Sequence, residues 1–388
     1  MPHPPIHSPR GPHGSTSQLA PSTLKNKTPP SRRPESPKMR SLFSAAFSFS
    51  LFLLLSSAQA VNFTCNSTST ATCQGLVSYL AVNSTTYAAI QSLFQVTSLS
   101  SLLGANDLPL STSANRTVSS GSTVRIPFPC KCSNGTGKSD KVPVYTVKPG
   151  DTLDAIARNK YEEFVTFQEI ADVNGIPNPN TIDIGQKVWI PLPCSCDPVG
   201  GEAKVHLGYV VASGNSVAGI AEEFGLADET LLKINRIADP TKLLAGAILD
   251  VPLRVCSSSI NNTSADYGLT LPNGSYALTA DDCILCSCSS SSYQLNCSLN
   301  QAKSSSTCNA PKCRGNLSLG DTSTSGCEVT TCAYTGYTNT TGLNILAMAV
   351  TNQTKCSNGG LRASGLIESI WRISFIFIHM ILIWVCFV

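Results

Sequence analysis

The 388-residue chain contains 17 cysteines, and their spacing is compatible with two kinds of chemistry. Sixteen of them lie between Cys65 and Cys356, and an even number in an oxidising compartment indicates a disulfide framework. Cys283, Cys286 and Cys288 also have spacings that could hold a zinc ion. Because no histidine lies near these three, we expect disulfides there, no metal site and no cofactor.

Groups that could catalyse hydrolysis are scarce. A glycoside hydrolase needs a pair of positioned carboxylates, and the region outside the repeats that could hold a catalytic domain, residues 257–356, contains few acids. They are Asp266, Asp281, Asp282, Asp321 and Glu328. The sole histidine between residues 61 and 356 is His206, which we expect at the surface before a strand. The protein is therefore predicted not to be an enzyme, and a cell-wall hydrolase is a less favoured alternative.

The chain is rich in acceptor sequences for N-glycosylation. The predicted acceptors are Asn62, Asn66, Asn83, Asn115, Asn134, Asn261, Asn262, Asn273, Asn296, Asn316, Asn339 and Asn352. None falls between residues 135 and 260. Since glycans are bulky and would obstruct a binding groove, this gap is where we expect a ligand site.

Both ends of the chain carry targeting features. Residues 1–38 are rich in Pro and Ser and are predicted to be a disordered extension, or an artefact of an upstream start codon. Residues 39–60 have the basic start, apolar core and small-residue end of a signal peptide. Residues 357–388 have small residues, a spacer and an apolar tail, which predicts a GPI-attachment signal with Asn358 as the attachment residue. A tail-anchored helix is the alternative.

The net charge of +3 comes from the first 40 residues, which contain seven Lys/Arg and one Glu. The rest of the chain has 20 basic and 23 acidic residues and a net charge of −3. A nucleic-acid partner is therefore not expected.

A short pattern occurs three times in the first two-thirds of the chain. In its clearest copy Tyr145 is followed by Ile156, Asn174, Gly185 and Pro191. The other copies begin at Tyr209 and at Tyr79, so that the tyrosines lie 66 and 64 residues apart. They read Tyr209, Ile220, Asn235, Gly246, Pro252 and Tyr79, Ile90, Asn106, Gly121, Pro127. Such a period indicates three small repeated modules.

Each module is predicted to fold as strand, helix, helix, strand. In the second copy Val144–Val147 alternates like a strand, and Pro149-Gly150 marks a turn. Asp151 or Thr152 can then cap a first helix, and Asn174-Gly175 is typical of the end of a second.

The segments Tyr145–Leu153 and Ile182–Pro191 resemble the lysin motif (LysM), a βααβ module that recognises N-acetylglucosamine polymers. The resemblance spans roughly Val61–Cys256. It implies an α+β fold with three LysM modules clamped by disulfides, followed by a disulfide-rich region that is mainly β or irregular. The predicted domains are a degenerate LysM 1 at 61–132, LysM 2 at 140–196, LysM 3 at 204–256 and a Cys-rich C-terminal domain at 257–356.

The whole layout is similar to the plant chitin elicitor-binding receptor-like proteins, a GPI-anchored LysM family. This resemblance implies three disulfides in the module region: Cys65–Cys132, Cys73–Cys196 and Cys130–Cys194. It also implies a role in innate immunity on the extracellular face of the plasma membrane. Chitin oligosaccharides would be the ligand, a LysM receptor kinase would be the signalling partner, and a long chitin chain would bridge two copies into a homodimer.

In LysM relatives the sugar lies in a shallow groove between two loops, which here are Gly150–Leu153 and Gly175–Asn180. The candidate carbohydrate-binding residues are Gly150, Asp151, Thr152, Leu153, Gly175, Ile176, Pro177 and Asn178. Ile176 is expected in an exposed loop. The second module is favoured, because Asn83 places a glycosylation sequence in the corresponding loop of the first.

Charge favours chitin over peptidoglycan as the ligand. Residues 145–191 contain four basic and seven acidic residues, and residues 209–252 contain three and six, so both modules have a net charge of −3. A negative module should prefer a neutral polymer to one that carries carboxylates. A peptidoglycan co-receptor and a binder of symbiotic lipochitooligosaccharides remain alternatives.

Overall fold

A computed structural model of the chain describes residues 63–66, 71–303, 308, 312–313, 316–340 and 343–354. The predicted extension, signal peptide and GPI-attachment signal lie outside these residues, as do Asn62, Cys356 and Asn358. Among the helices of the described part, none has the length and apolar character needed to cross a membrane.

The predicted order of strand, helix, helix, strand is confirmed in all three modules. The first module contains β1 (Ala71–Leu80), β2 (Thr85–Thr86), α1 (Tyr87–Phe94), α2 (Leu99–Ala105), β3 (Thr117–Val118) and β4 (Thr123–Ser133), and β5 (Thr136–Ser139) follows it. The second contains β6 (Val144–Thr146), α3 (Leu153–Tyr161), α4 (Phe167–Val173) and β7 (Lys187–Trp189). The third contains β8 (Lys204–Val210), α5 (Val217–Phe224), α6 (Asp228–Ile234), a 3-10 turn (Pro240–Lys242) and β9 (Ile248–Arg254).

The first helix of each module begins in the same way. A hydroxyl residue seven positions after the repeat tyrosine caps it and accepts a hydrogen bond from the backbone N–H three residues on. These caps are Thr86, Thr152 and Ser216. Because a side-chain cap satisfies a helix N–H that has no partner within the helix, the repeat encodes the start of each helix locally.

The first and third modules share one sheet, whose strand order is β5-β4-β1-β8-β9. Strands β1 and β8 pair in parallel at Leu76 with Leu207 and at Val77 with Gly208. The Ser78 hydroxyl adds a bond to the Gly208 carbonyl at 3.1 Å and accepts one from the Val210 N–H at 3.1 Å. The second module keeps its own antiparallel pair, β6 with β7, and its buried residues join the hydrophobic core of the first module.

Three disulfides tie the modules together. They are Cys65–Cys132, Cys73–Cys196 and Cys130–Cys194, the pairs that the family resemblance implies. Two of them join the first module to the segment that follows the second. Since these bonds close loops of 64 to 123 residues, they restrict the unfolded chain strongly and make the modules a compact block.

The region after the third module is disulfide-rich and mainly β, as predicted. Its strands are β10 (Ser275–Thr279), β11 (Ile284–Cys288), β12 (Leu295–Leu299), β13 (Thr322–Ser325), β14 (Glu328–Thr340) and β15 (Leu343–Thr354), in two three-stranded sheets. The three cysteines with zinc-like spacing all form disulfides: Cys256–Cys288, Cys283–Cys308 and Cys286–Cys297. The alternative of a zinc site there is therefore wrong.

Strand β10 docks directly on helix α2 of the first module. The Tyr276 hydroxyl donates a hydrogen bond to the Leu108 carbonyl at 2.5 Å. At Gly104 a Cβ atom would lie 2.1 Å from the Tyr276 carbonyl oxygen, so the contact requires glycine at this position. The C-terminal region is thus packed against the module block.

Candidate functional site

The first candidate loop, Gly150–Leu153, is held by Asp151. One carboxylate oxygen accepts hydrogen bonds from the Tyr145 hydroxyl at 2.9 Å and from the Lys148 N–H at 2.8 Å. Burial, with the bond to Asp151 and the charge of its carboxylate, raises the pKa of Tyr145 to about 12, so the hydroxyl remains a donor. Gly150 has a φ of +85°, a left-handed conformation that glycine adopts without strain.

The last two residues of this loop have different roles. Thr152 is the helix cap, since its Oγ1 accepts from the Ala155 N–H at 3.0 Å, whereas Asp151 holds the turn. The side chain of Leu153 is 1% exposed and lies in the hydrophobic core. Only the backbone of Leu153 is therefore available to a ligand.

The second candidate loop, Gly175–Asn180, begins with a Schellman motif at the end of α4. The Gly175 N–H donates to the Asp172 carbonyl at 3.3 Å, and the Ile176 N–H donates to the Ala171 carbonyl at 2.9 Å. The side chain of Ile176 is half-buried and packs against the core, as the apolar residue of this motif commonly does. The expectation that Ile176 lies in an exposed loop is therefore wrong in part, because its side chain also supports the fold.

Pro177 and Asn178 are exposed in the second loop. The Asn178 Oδ1 atom accepts a hydrogen bond from the Asn180 N–H at 3.1 Å, and the Asn178 carbonyl accepts from the Thr181 N–H at 3.0 Å. These local bonds fix the backbone of the loop. Gly150, Thr152 and Gly175 are also exposed, so five of the eight predicted residues offer surface to a ligand.

Asn174 fixes the second loop to the strands of the module. Its Nδ2 donates to the carbonyls of Ile170 at 2.7 Å and Trp189 at 2.8 Å, and its Oδ1 accepts from the Trp189 N–H at 2.8 Å. Trp189 lies on β7, which pairs with β6, the strand that leads into the first loop. Both loops are thus anchored to one pair of strands.

The same anchor recurs in the other modules. Asn106 and Asn235 each make the three corresponding bonds, to the carbonyl four residues earlier and to both backbone groups of a residue on the last strand. This asparagine belongs to the sequence repeat, where it predicts only the end of a helix. The fixed place of this residue in all three copies was the signal for its structural role.

Sequence reasoning missed Glu162, which lies between the first and second modules. Its Oε2 accepts a hydrogen bond from the Leu80 N–H at 2.8 Å, while its Oε1 is buried and has no partner among the described residues. Burial raises the pKa of Glu162 to about 7, and the bond from Leu80 opposes this shift only in part.

His206 does not lie at the surface, and that prediction is wrong. It is 1% exposed and lies within β8. Its Nδ1 lies 2.7 Å from an Asp250 carboxylate oxygen, and its Nε2 lies 2.8 Å from the Asp197 carbonyl oxygen. Burial alone would lower the pKa of His206, but the bond to Asp250, the charge of Asp250 and the Asp197 carbonyl outweigh it and raise that pKa. Both ring nitrogens face acceptors, so the charged imidazolium, which donates twice, fits this site.

All the predicted glycosylation sites in the described residues are exposed, as an acceptor must be. They are Asn66, Asn83, Asn115, Asn134, Asn261, Asn262, Asn273, Asn296, Asn316, Asn339 and Asn352. Glycosylation at these sites stays a prediction.

Comparison with known proteins identifies the modules. The LysM domain model matches residues 145–191 and 209–252, which are the second and third modules. The Chitin elicitor-binding protein of Oryza sativa subsp. japonica is 50% identical over 332 residues, which cover 85% of this chain and 93% of that protein. LysM domain-containing GPI-anchored protein 2 of Arabidopsis thaliana is 44% identical over 299 residues, or 76% of this chain and 84% of the relative. A LysM domain receptor-like kinase 3 of Medicago truncatula is 29% identical over 118 residues, 30% of this chain and 19% of the kinase.

Proposed function

This chain belongs to the LysM-domain family of the rice chitin elicitor-binding protein, and we propose that it is a cell-surface receptor-like protein that binds chitin oligosaccharides. The observation that carries the proposal is the 50% identity over 332 residues to that relative. The matched region covers 93% of the relative's length and includes the modules and the Cys-rich region, so the similarity is not confined to one module.

The proposed sugar site is the surface of the two loops of the second module. Asn174 and Asp151 hold these loops in place without a ligand, and pre-formed sites of this kind bind with a smaller loss of conformational entropy. Exposed Pro177 offers an apolar face to a sugar ring, and the free amide hydrogens of Asn178 can bond hydroxyl or acetamide oxygens. Ile176 contributes the part of its side chain that is not buried.

The first module is a poorer candidate for the same role. Its first loop contains Asn83, which is exposed and begins a glycosylation sequence. A glycan there would cover the surface that corresponds to the Gly150–Leu153 loop.

The proposal also includes a membrane anchor for this protein and a partner that carries the signal. A GPI anchor attached at Asn358 would hold the protein on the outer face of the plasma membrane. This part of the proposal is supported by relatives that are named as GPI-anchored proteins. A LysM receptor kinase would then carry the signal inward, and a long chitin chain would hold two copies together. The kinase step fails if cells that lack every LysM receptor kinase still respond to chitin through this protein.

The sugar site is tested by titration calorimetry with chitin oligosaccharides on the secreted protein and two matched variants. Ile176 and Ile237 occupy the same position in the second and third modules, since the Ile237 N–H donates to the Leu232 carbonyl in an equivalent Schellman motif. Ile176→Ala and Ile237→Ala therefore remove the same structural contact. We expect Ile176→Ala to weaken chitin binding about tenfold, in line with about 1.4 kcal/mol of lost contact, and Ile237→Ala to leave it unchanged.

A third variant separates ligand contact from folding. Asn178→Asp keeps an oxygen that can accept the hydrogen bond from the Asn180 N–H but removes the amide hydrogens, so it should weaken chitin binding without lowering the melting temperature. Equal loss of chitin binding in Ile176→Ala and Ile237→Ala would overturn the assignment to the second module. Binding of soluble peptidoglycan fragments instead of chitin would overturn the ligand.

A further inference from the structure

A cavity of about 700 Å³ lies against the third module, away from the two loops of the proposed chitin site. Its walls are residues from 195–200, the strands β8 and β9, and helix α6 with the turn before it. No residue of Gly150–Leu153 or Gly175–Asn180 lines it. Ligand pockets in proteins commonly have volumes of about 300–1,000 Å³, so the cavity has room for an organic ligand larger than a phosphate ion.

The two carboxylates that line the cavity are already bonded within the protein. Asp197 accepts a hydrogen bond from the Asn66 N–H at 2.6 Å. Asp250 accepts from His206 through both carboxylate oxygens, at 2.7 and 2.9 Å. The charge of Asp250 is matched by the His206 ring, whereas Asp197 keeps its negative charge and offsets one of the cations that line the cavity.

The cations that line the cavity have few ion-pair partners. Lys233 and Arg236 form no ion pair with any of the described residues. Lys204 is paired with Glu202 at 2.7 Å, but that carboxylate is mostly in solvent while the lysine side chain is only 11% exposed. The cavity thus presents positively charged donors in excess of acceptors.

Charge is segregated within the third module. Residues 209–252 contain three basic side chains, and two of them, Lys233 and Arg236, line the cavity. Of the six acidic side chains in the same span, only Asp250 lines it. With Lys204 and Asp197 included, the cavity is lined by more lysine and arginine side chains than carboxylates, although residues 209–252 carry a net charge of −3.

We propose that this cavity binds an anionic saccharide whose carboxylate groups pair with Lys233 and Arg236. Leu226, which also lines the cavity and is partly exposed, offers apolar surface that suits the face of a sugar ring. Carboxylates on a saccharide occur in uronic acid polymers and in the lactyl-peptide groups of peptidoglycan, and the experiment distinguishes these two sources.

The test is titration calorimetry with tetragalacturonate and with muramyl dipeptide on the full secreted protein. The wild type is compared with Thr68→Ala, which removes the glycosylation sequence at Asn66, because Asn66 lines the cavity. Binding in Thr68→Ala but not in the wild type would overturn the proposal, since a glycan at Asn66 would then close the site. Methyl-esterified tetragalacturonate is the neutral control ligand. We expect the acid form to bind, its affinity to fall as salt is added, and the ester to bind at least tenfold more weakly.

Lys233→Glu and Lys242→Glu form the matched pair of variants. Both reverse one charge on the third module, but Lys242 does not line the cavity and its side chain is 82% exposed. Lys233→Glu should weaken binding of the anionic saccharide about tenfold or more, and Lys242→Glu should leave it within about twofold. The melting temperature, measured on the same samples, should be unchanged in both variants and reports that they are folded.

The site is supported if either anionic ligand binds and its binding is weakened by Lys233→Glu but not by Lys242→Glu. The ligand that binds then identifies the source of the carboxylate. The proposal is overturned if neither ligand binds, if the ester binds as well as the acid, or if both lysine variants lose the same affinity. Since Ile176→Ala tests a different surface, loss of the chitin proposal would leave this result standing, and the reverse also holds.

Discussion

Replacement of Glu162 by glutamine should change how the stability of the protein depends on pH. Glu162 joins the second module to the first through its bond from the Leu80 N–H, and its other carboxylate oxygen is buried without a partner. An uncharged carboxyl group tolerates this position better than a carboxylate. The folded protein therefore holds the proton up to a higher pH than the unfolded chain does.

The size of the effect follows from the two pKa values. The pKa of Glu162 is about 7 in the folded protein, against an ordinary value of 4.5. Between these values the folded state binds up to one more proton than the unfolded state, so the free energy of unfolding falls by up to about 1.4 kcal/mol per pH unit. The contribution of protonated Glu162 to the free energy of unfolding is fully present below pH 4.5 and is lost as the pH rises through about 7. The total loss is about 3 kcal/mol.

The assay is urea unfolding of the wild type and of Glu162→Gln at several values between pH 4 and pH 8, with disulfides intact. Glutamine keeps the shape of the side chain and cannot ionise, so its curve should be flatter and should lie above that of the wild type at pH 8. The neighbouring Glu163 is the control, since it pairs with Arg158 at the surface, and Glu163→Gln should follow the wild-type slope. Parallel curves for the wild type and Glu162→Gln would refute the reasoning.

Two further predictions concern buried polar groups. His206→Leu leaves Asp250 buried without its partner and should lower the free energy of unfolding by about 3–5 kcal/mol at pH 6 in urea unfolding. Because folding raises the pKa of His206, its ring should stay protonated above pH 6.5 in an NMR titration of the wild type, and a ring that is already neutral at pH 6.5 would contradict the charged imidazolium. Asn174→Ala removes three hydrogen bonds and should cost about 2–4 kcal/mol in thermal unfolding, whereas Asn180→Ala, at an exposed loop position, should have little effect.

The local structure of each module could be predicted from the sequence. The start of α3 depends on a Thr152 cap and on a turn at Gly150, and both act within a few residues. The end of α4 at Asn174-Gly175 is local for the same reason. Spacing within one module therefore carries enough information for its helices and strands.

The contacts between modules could not be predicted in this way. Glu162 becomes buried because Leu80 of another module covers it, and nothing in the sequence near Glu162 indicates that neighbour. His206 resembles a surface residue in the sequence, because its partners, the Asp250 carboxylate and the Asp197 carbonyl, lie 44 and 9 residues away along the chain. The cavity has the same origin, since residues 195–200 must fold back on the third module to form one wall.

The shared sheet also bears on how a proposed chitin chain would act. Pairing of β1 with β8 and the Cys73–Cys196 disulfide prevent the modules from turning independently. A chain bound at the second module therefore cannot draw the other modules of the same molecule toward it without breaking this sheet. A long chain could therefore gain avidity only by spanning the fixed distance between modules of one molecule or by reaching a second molecule, and confinement of many copies to one membrane surface would raise the effective concentration of the second molecule.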